Sequence, residues 1–231
     1  MAATRAGKTF RMATTQAPLG AQEFIPADAQ SLENLKAAAP GCRGCELYAD
    51  ATQVVFGRGA EHARLVLVGE QPGDVEDQRG LPFVGPAGRL LRDAVGDAGI
   101  DPSIIYLTNT VKHFRFEMRG RRRIHQTPGP AHIDACRPWL VAEFSLLKPD
   151  LVVALGATAA KALFGPSFRV TRSRGELMPW PASAQRPQDF PVAEVRALAT
   201  IHPSAVLRAD DRDAAYQGLV DDLKIAAKVL A

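Results

Sequence analysis

Short apolar runs alternate with amphipathic stretches along most of this chain. The β-branched run at 64–68 leads directly into the tight polar turn Gly69-Glu70-Gln71-Pro72-Gly73, the pattern of a strand and the loop that leaves it. Pro86 then opens a helix that places Leu90, Leu91, Ala94, Val95 and Ala98 on one apolar face and ends at Gly99. The alternation continues through strand 104–107, helix 133–147, strand 151–155, helix 157–164, strand 195–199 and a final helix carrying Leu219, Leu223 and Leu230. Such an order predicts an α/β fold, with a mainly parallel four-stranded sheet covered by helices on both faces in three αβα layers.

Ahead of this region, Ser31 is placed to cap a short helix running to Ala39, and Pro40-Gly41 stops it just before Cys42. Residues 1–27 mix Ala, Thr, Gln and Pro without a sustained period and read as a flexible leader, with 28–231 as the folded domain. The Pro- and Ala-rich stretch 180–188 reads as a surface connection.

Three polar motifs fall just beyond strand ends: 69–73, Asn109 to His113, and His202-Pro203-Ser204. In open α/β sheets that edge is where a ligand crevice forms. The glycine turn lacks the GxGxxG fingerprint, and Pro72 interrupts the row of amides a dinucleotide would need. A nucleotide-binding Rossmann protein is therefore a poor fit.

Charge changes the picture through its location more than its sum. The net charge is only +3, yet 112–127 reads KHFRFEMRGRRRIHQT, with six basic residues around two histidines. This is a phosphate-facing segment that also carries reactive groups. Arginine runs are more often solvated or ion-paired, so the basic loop alone does not establish function. No apolar run reaches a bilayer-spanning length, and the region around Arg5, Lys8 and Arg11 has no apolar signal core. A cytoplasmic protein without membrane association is expected, and a monomer.

Cys42-Arg43-Gly44-Cys45 offers two soft ligands to one site, and Cys136 a third. An iron-sulfur cluster, a zinc site completed by histidine, and a reactive thiol pair beside a buried helical cysteine all fit that residue set.

The ordered set GEQPG, LPFVGPAG, TNTVKHF, CRPWL and HPS resembles the iron-sulfur uracil-DNA glycosylases, family 4, from about Gln22 to the C-terminus. Within that family, KHFRF followed by a basic insertion ending RRRIHQTP is similar to the UdgX-like branch, whose members become covalently attached to uracil-containing DNA. The combination is far more specific than any one motif. Where ordinary members carry a cluster-binding cysteine after the lysine of TN-x-x-K, this chain has His113. The resemblance thus implies a 4Fe-4S cluster held by Cys42, Cys45, His113 and Cys136.

It also implies a uracil pocket built from Gly69, Gln71, Gly73, Phe83 and Asn109, with Asp74 as a further polar contributor. Phe83 would stack on the extruded base, and the Asn109 amide would read its O4/N3 edge. By residue type alone Phe83 is equally a core aromatic, Asn109 a cap and His-Pro-Ser a helix-capping loop. His202 would donate toward uracil O2, and Glu70 would orient water or stabilise the sugar cation, and polarise His125. The implied nucleophile is His125, whose neutral ring has the lone pair for attack on C1′. DNA contacts are expected from Lys112, Arg115, Arg121, Arg122, Arg123 and Gln126, and from the loop after HPS with Ser204, Leu207 and Arg208. The arginines alternatively hold the loop closed. The partner is uracil-containing DNA, single-stranded or duplex. Two other readings share parts of this pattern: a glycosylase that turns over to leave a free abasic site, and a non-catalytic or redox-sensing iron-sulfur protein that binds DNA.

Overall fold

The computed structural model describes residues 20–180 and 195–231. Residues 1–19 of the expected leader and nearly all of the 180–188 connection lie outside these. Strands β1 (Arg58–Gly59), β2 (Leu65–Gly69), β3 (Ile105–Asn109), β6 (Leu151–Leu155), β7 (Met178–Pro179) and β8 (Arg196–Thr200) form one sheet in the order β1-β3-β2-β6-β8-β7. The inner four, β3, β2, β6 and β8, run parallel, while β1 and β7 add antiparallel edges. The expected four-stranded sheet is thus the centre of a six-stranded one. Two-residue edge strands carry too little periodicity to be seen in a sequence.

Alternation within the central strands divides the interior. Val66, Val68, Val152, Ala154, Ala197 and Ala199 face α4 (Pro130–Leu147) and α5 (Gly156–Phe164). Leu65, Leu67, Leu151, Val153 and Leu198 face α3 (Pro86–Asp97) and α8 (Arg212–Leu230). These strands bury both faces, which is why they read as continuous apolar runs.

A third cluster joins Cys42, Cys45, Cys136, Trp139, Phe56 and Val111 to α1 (Leu32–Ala38). Ser31 caps α1 by accepting from the Asn34 amide at 3.1 Å. Within the stretch expected to be a leader, residues 21–24 form a 3-10 turn and Ala21 is buried against this cluster. Gly44 makes that approach possible, since a Cβ there would meet the Ala21 nitrogen at 2.7 Å.

Two elements absent from the periodicity shape the site. The loop after β2 continues into α2 (Asp74–Arg79), and the basic segment folds back as a separate two-stranded hairpin of β4 (Phe116–Arg119) and β5 (Arg122–His125). Short helices α6 (Val170–Ser173) and α7 (Pro203–Val206) complete the edge.

Candidate functional site

Parallel register assembles the site. Gly69 at the end of β2 pairs with Asn109 at the end of β3, so the loops leaving these strands start side by side. Glu70, Phe83, Asn109, His125 and His202 line one cavity of about 710 Å³, with Gln71, Gly73, Ser204 and Arg208 also on its wall.

Close approach explains the glycine at 69. A Cβ at that position would meet the Phe83 ring at 2.7 Å and would also crowd Oδ1 of Asn109. Phe83 itself has φ of 54°, a left-handed conformation that is costly for an aromatic residue. Two neighbours hold it there. Glu76 accepts from the Gly85 amide at 2.6 Å, and Gly88 leaves space for the Phe83 backbone. The Phe83 and His202 rings lie nearly parallel, 6.4 Å apart.

His202 has a defined proton arrangement. Its Nδ1 accepts from the Ser204 amide at 3.1 Å and sits 2.8 Å from the Ser204 hydroxyl. Burial lowers its pKa to about 4, with Glu70 opposing and Arg208 and His125 adding to the shift. The ring is therefore neutral at pH 7, and the acceptor role of Nδ1 leaves the hydrogen on Nε2. Ser204, expected to contact DNA, has its hydroxyl engaged in this orientation.

Opposite lies an acid–histidine pair. Oε1 of Glu70 is 3.3 Å from Nε2 of His125, and Oε2 accepts from the Thr158 hydroxyl. Burial works against ionisation of Glu70, but the hydrogen bonds from His125 and Thr158 outweigh it and its pKa is lowered. Thr158 lies on α5, which the sequence gives no reason to separate from scaffold. Its signal was positional, because it follows the end of β6 just as Glu70 follows β2.

The hairpin delivers His125. Arg123 binds Asp74 at 2.5 Å and Asp77 at 2.6 Å, and its guanidinium stacks over Phe116 at 5.1 Å. Gln71 donates to the carbonyls of Arg115 and Gln126, both at 3.1 Å, and accepts from the Arg115 amide. Arg115 bonds the Thr127 carbonyl. These contacts clamp both hairpin ends. Arg123 takes the loop-closing role, one of the two expected of the arginines, with Asp74 as an anchor for it, and the Gln71 amide bonds the hairpin backbone.

Lys112 departs from expectation. Its ammonium is fully buried, 2.6 Å from Glu143 and from the Thr108 hydroxyl and 2.9 Å from the Asn109 carbonyl. It cannot reach a phosphate and instead fixes the backbone at Asn109. Val206, in the loop after HPS from which DNA contacts are expected, is buried in the core. Arg121, Arg122 and Arg208 are exposed, Leu207 is half-buried, and Gln126 bonds Glu117 at 3.3 Å.

Cys42, Cys45 and Cys136 are free and buried, as is His113. Burial raises the Cys136 thiol to about 12 and lowers His113 to about 4. Trp139 Nε1 donates to the Cys42 sulfur and the Lys112 amide to that of Cys136, each at 3.3 Å. His132 bonds Glu46 at 2.7 Å, tying the residue after Cys45 to the start of α4. Sulfurs that already receive N–H donors suit a thiolate-held centre, because such bonds stabilise the charged form. Among the described residues, no three His, Cys, Asp or Glu side chains converge on a single-ion site, and no helix is long and apolar enough to cross a membrane.

The profile of the uracil DNA glycosylase superfamily matches residues 56–224. A type-4 uracil-DNA glycosylase of Thermotoga maritima is 36% identical over 168 residues, covering 72% of this chain and 78% of that protein. One from Archaeoglobus fulgidus is 31% identical over 182 residues, covering 77% and 84%. A DNA polymerase of Bacillus phage SP01 is 30% identical over 176 residues, which make up 75% of this chain but 16% of that protein.

Proposed function

This chain belongs to the uracil DNA glycosylase superfamily, and from that premise we propose that it excises uracil from DNA and that His125 then bonds C1′ of the deoxyribose. The observation that carries the second half is the 3.3 Å approach of His125 to Glu70 at the wall of the cavity shared with Phe83, Asn109 and His202.

The extruded uracil stacks on Phe83 while Asn109 reads its edge. As the bond between N1 and C1′ breaks, its electron pair leaves with the base and positive charge grows on the sugar. The neutral His202 presents Nε2–H to uracil O2, and the ionised Glu70 faces the sugar cation. An unprotonated ring nitrogen of His125 donates its lone pair to C1′. The hydrogen on its other nitrogen is released and the uracil anion takes up a proton, so the products are free uracil and an uncharged N-linked imidazole. Glu70 is thus placed to serve both the cation and the histidine that captures it.

Cys42, Cys45, Cys136 and His113 are the proposed holders of a 4Fe-4S cluster, His113 as a neutral imidazole. When bound, the cluster supplies a rigid cross-link under the hairpin and α4, since glycosidic cleavage transfers no net electrons.

Intact-protein mass measurement after exposure to uracil-DNA, followed by localisation of the attached sugar, tests the reading. A mass increase located on His125 is expected with uracil but not thymine. Repeated uracil release without attachment would favour the turnover reading.

A further inference from the structure

A second cavity, of about 430 Å³, opens between the first half of α4 and α5. It is separate from the cavity around Glu70, yet Thr127 and Thr158 line both. Thr127 lies two residues beyond His125, and Thr158 bonds Glu70. The two cavities therefore share wall residues beside Glu70 and His125.

Its lining combines two kinds of surface. Pro128, Ile133, Ala162 and Pro166 give an apolar floor, and Arg137 and Lys161 supply positive charge. Asp134 is the single acidic lining residue; it is more than half exposed and 3.6 Å from Arg137. Nε of Arg137 is buried without a hydrogen-bond partner, and Lys161 forms no ion pair among the described residues. Helix packing alone does not account for an apolar trough with two under-used cations beside a reactive site.

The reaction supplies a ligand of that chemistry. When C1′ sits beside His125, the sugar's two phosphodiesters must leave the base cavity in different directions. Exposed Arg208 lies on the α7 side, whose Val206 packs with the α3/α8 layer, while Lys161 and Arg137 lie on the α4/α5 side. Cations therefore flank the site on both faces of the sheet.

We propose that the α4/α5 groove is a subsite for the nucleotide adjoining the uridine, with its phosphate on Lys161 and Arg137 and its base or sugar against the apolar floor. The inference rests on the uracil-DNA reading above. It adds Lys161, on a helix otherwise read as scaffold, to the DNA-contacting surface, and it makes single-strand substrates with both neighbours preferable to those with the uridine at one end.

The test compares single-turnover uracil release from oligonucleotides with the uridine internal, at the 5′ end or at the 3′ end. Wild-type protein, Lys161→Ala and groove-filling Ala162→Phe are used across a salt series. Wild type should be roughly tenfold slower on the one end-positioned substrate that lacks the groove-side nucleotide. Both variants should be equally slow on the internal substrate and no slower on that end-positioned one. Lys161→Ala should also lower the salt slope on single strands by about 0.7, the contribution of one phosphate contact. Variants that keep the wild-type preference and salt slope would overturn the subsite while leaving uracil excision intact. Absence of uracil release by wild type from every substrate would overturn both.

Discussion

Nε2 of His125 lies 3.3 Å from Oε1 of Glu70, although 55 residues separate them in the chain. The pair exists because a clamped hairpin brings its last residue back over the end of β2. If His125 is the capturing group, His125→Ala should abolish DNA attachment that survives denaturation. Uracil release should persist, since Phe83, Asn109, His202 and Glu70 remain. Denaturing gels for the adduct and base-release assays for the first step separate these outcomes.

Thr158 should act on uracil release through Glu70. Thr158→Val removes one hydrogen bond to a carboxylate at nearly constant volume, which should slow uracil release about tenfold or more. Loss of that donor raises the Glu70 pKa, so the acid limb of the pH–rate profile should move to higher pH. Thr158→Ser should restore both, an outcome that a packing defect would not give.

Gly69→Ala places a methyl group against the Phe83 ring and Asn109. Overpacking of this size costs about 1–3 kcal/mol, here concentrated on the two groups proposed to meet the base. Uracil release should fall at least roughly tenfold with secondary structure unchanged by circular dichroism.

Lys112 should matter for stability and not for phosphate binding. Lys112→Ala leaves Glu143 buried without its cation, which costs about 3–5 kcal/mol and should lower the melting temperature by roughly 10 °C. The double variant Lys112→Met/Glu143→Leu should recover much of that loss. The salt slope of DNA binding should stay at the wild-type value in the double variant, because a fully buried ammonium releases no counterion.

His202 predicts a signed pH dependence. Its folded pKa of about 4 lies below the ordinary 6.5, so the unfolded chain takes up the proton first as pH falls. Its contribution to stability is therefore complete above pH 6.5 and is lost progressively down to about pH 4. Melting temperature measured across that window should fall less steeply in His202→Gln than in wild type.

Much of the scaffold was legible because local physics produces it. The apolar runs at 65–68 and 151–155 and the capped helix after Ser31 gave elements within a residue or two of those observed. The motifs after β2, β3 and β8 likewise had to share an edge once the strands ran parallel. Hairpin 116–125 was not legible as strands, because its faces are short, charged and mostly exposed, with little alternation to detect.

The sequence by itself determined the α/β order, the family and the set of residues available for chemistry. Tertiary structure decided which of them face the cavity. Two of the six basic residues of 112–127, Lys112 and Arg123, are held by Glu143, Asp74 and Asp77, although nothing in the local sequence distinguishes them from Arg121. Thr158 came to bond Glu70 through the placement of α5 beside the end of β2. A charge acquires its role from the partner and solvent it meets, and those are set by contacts between segments far apart in the chain.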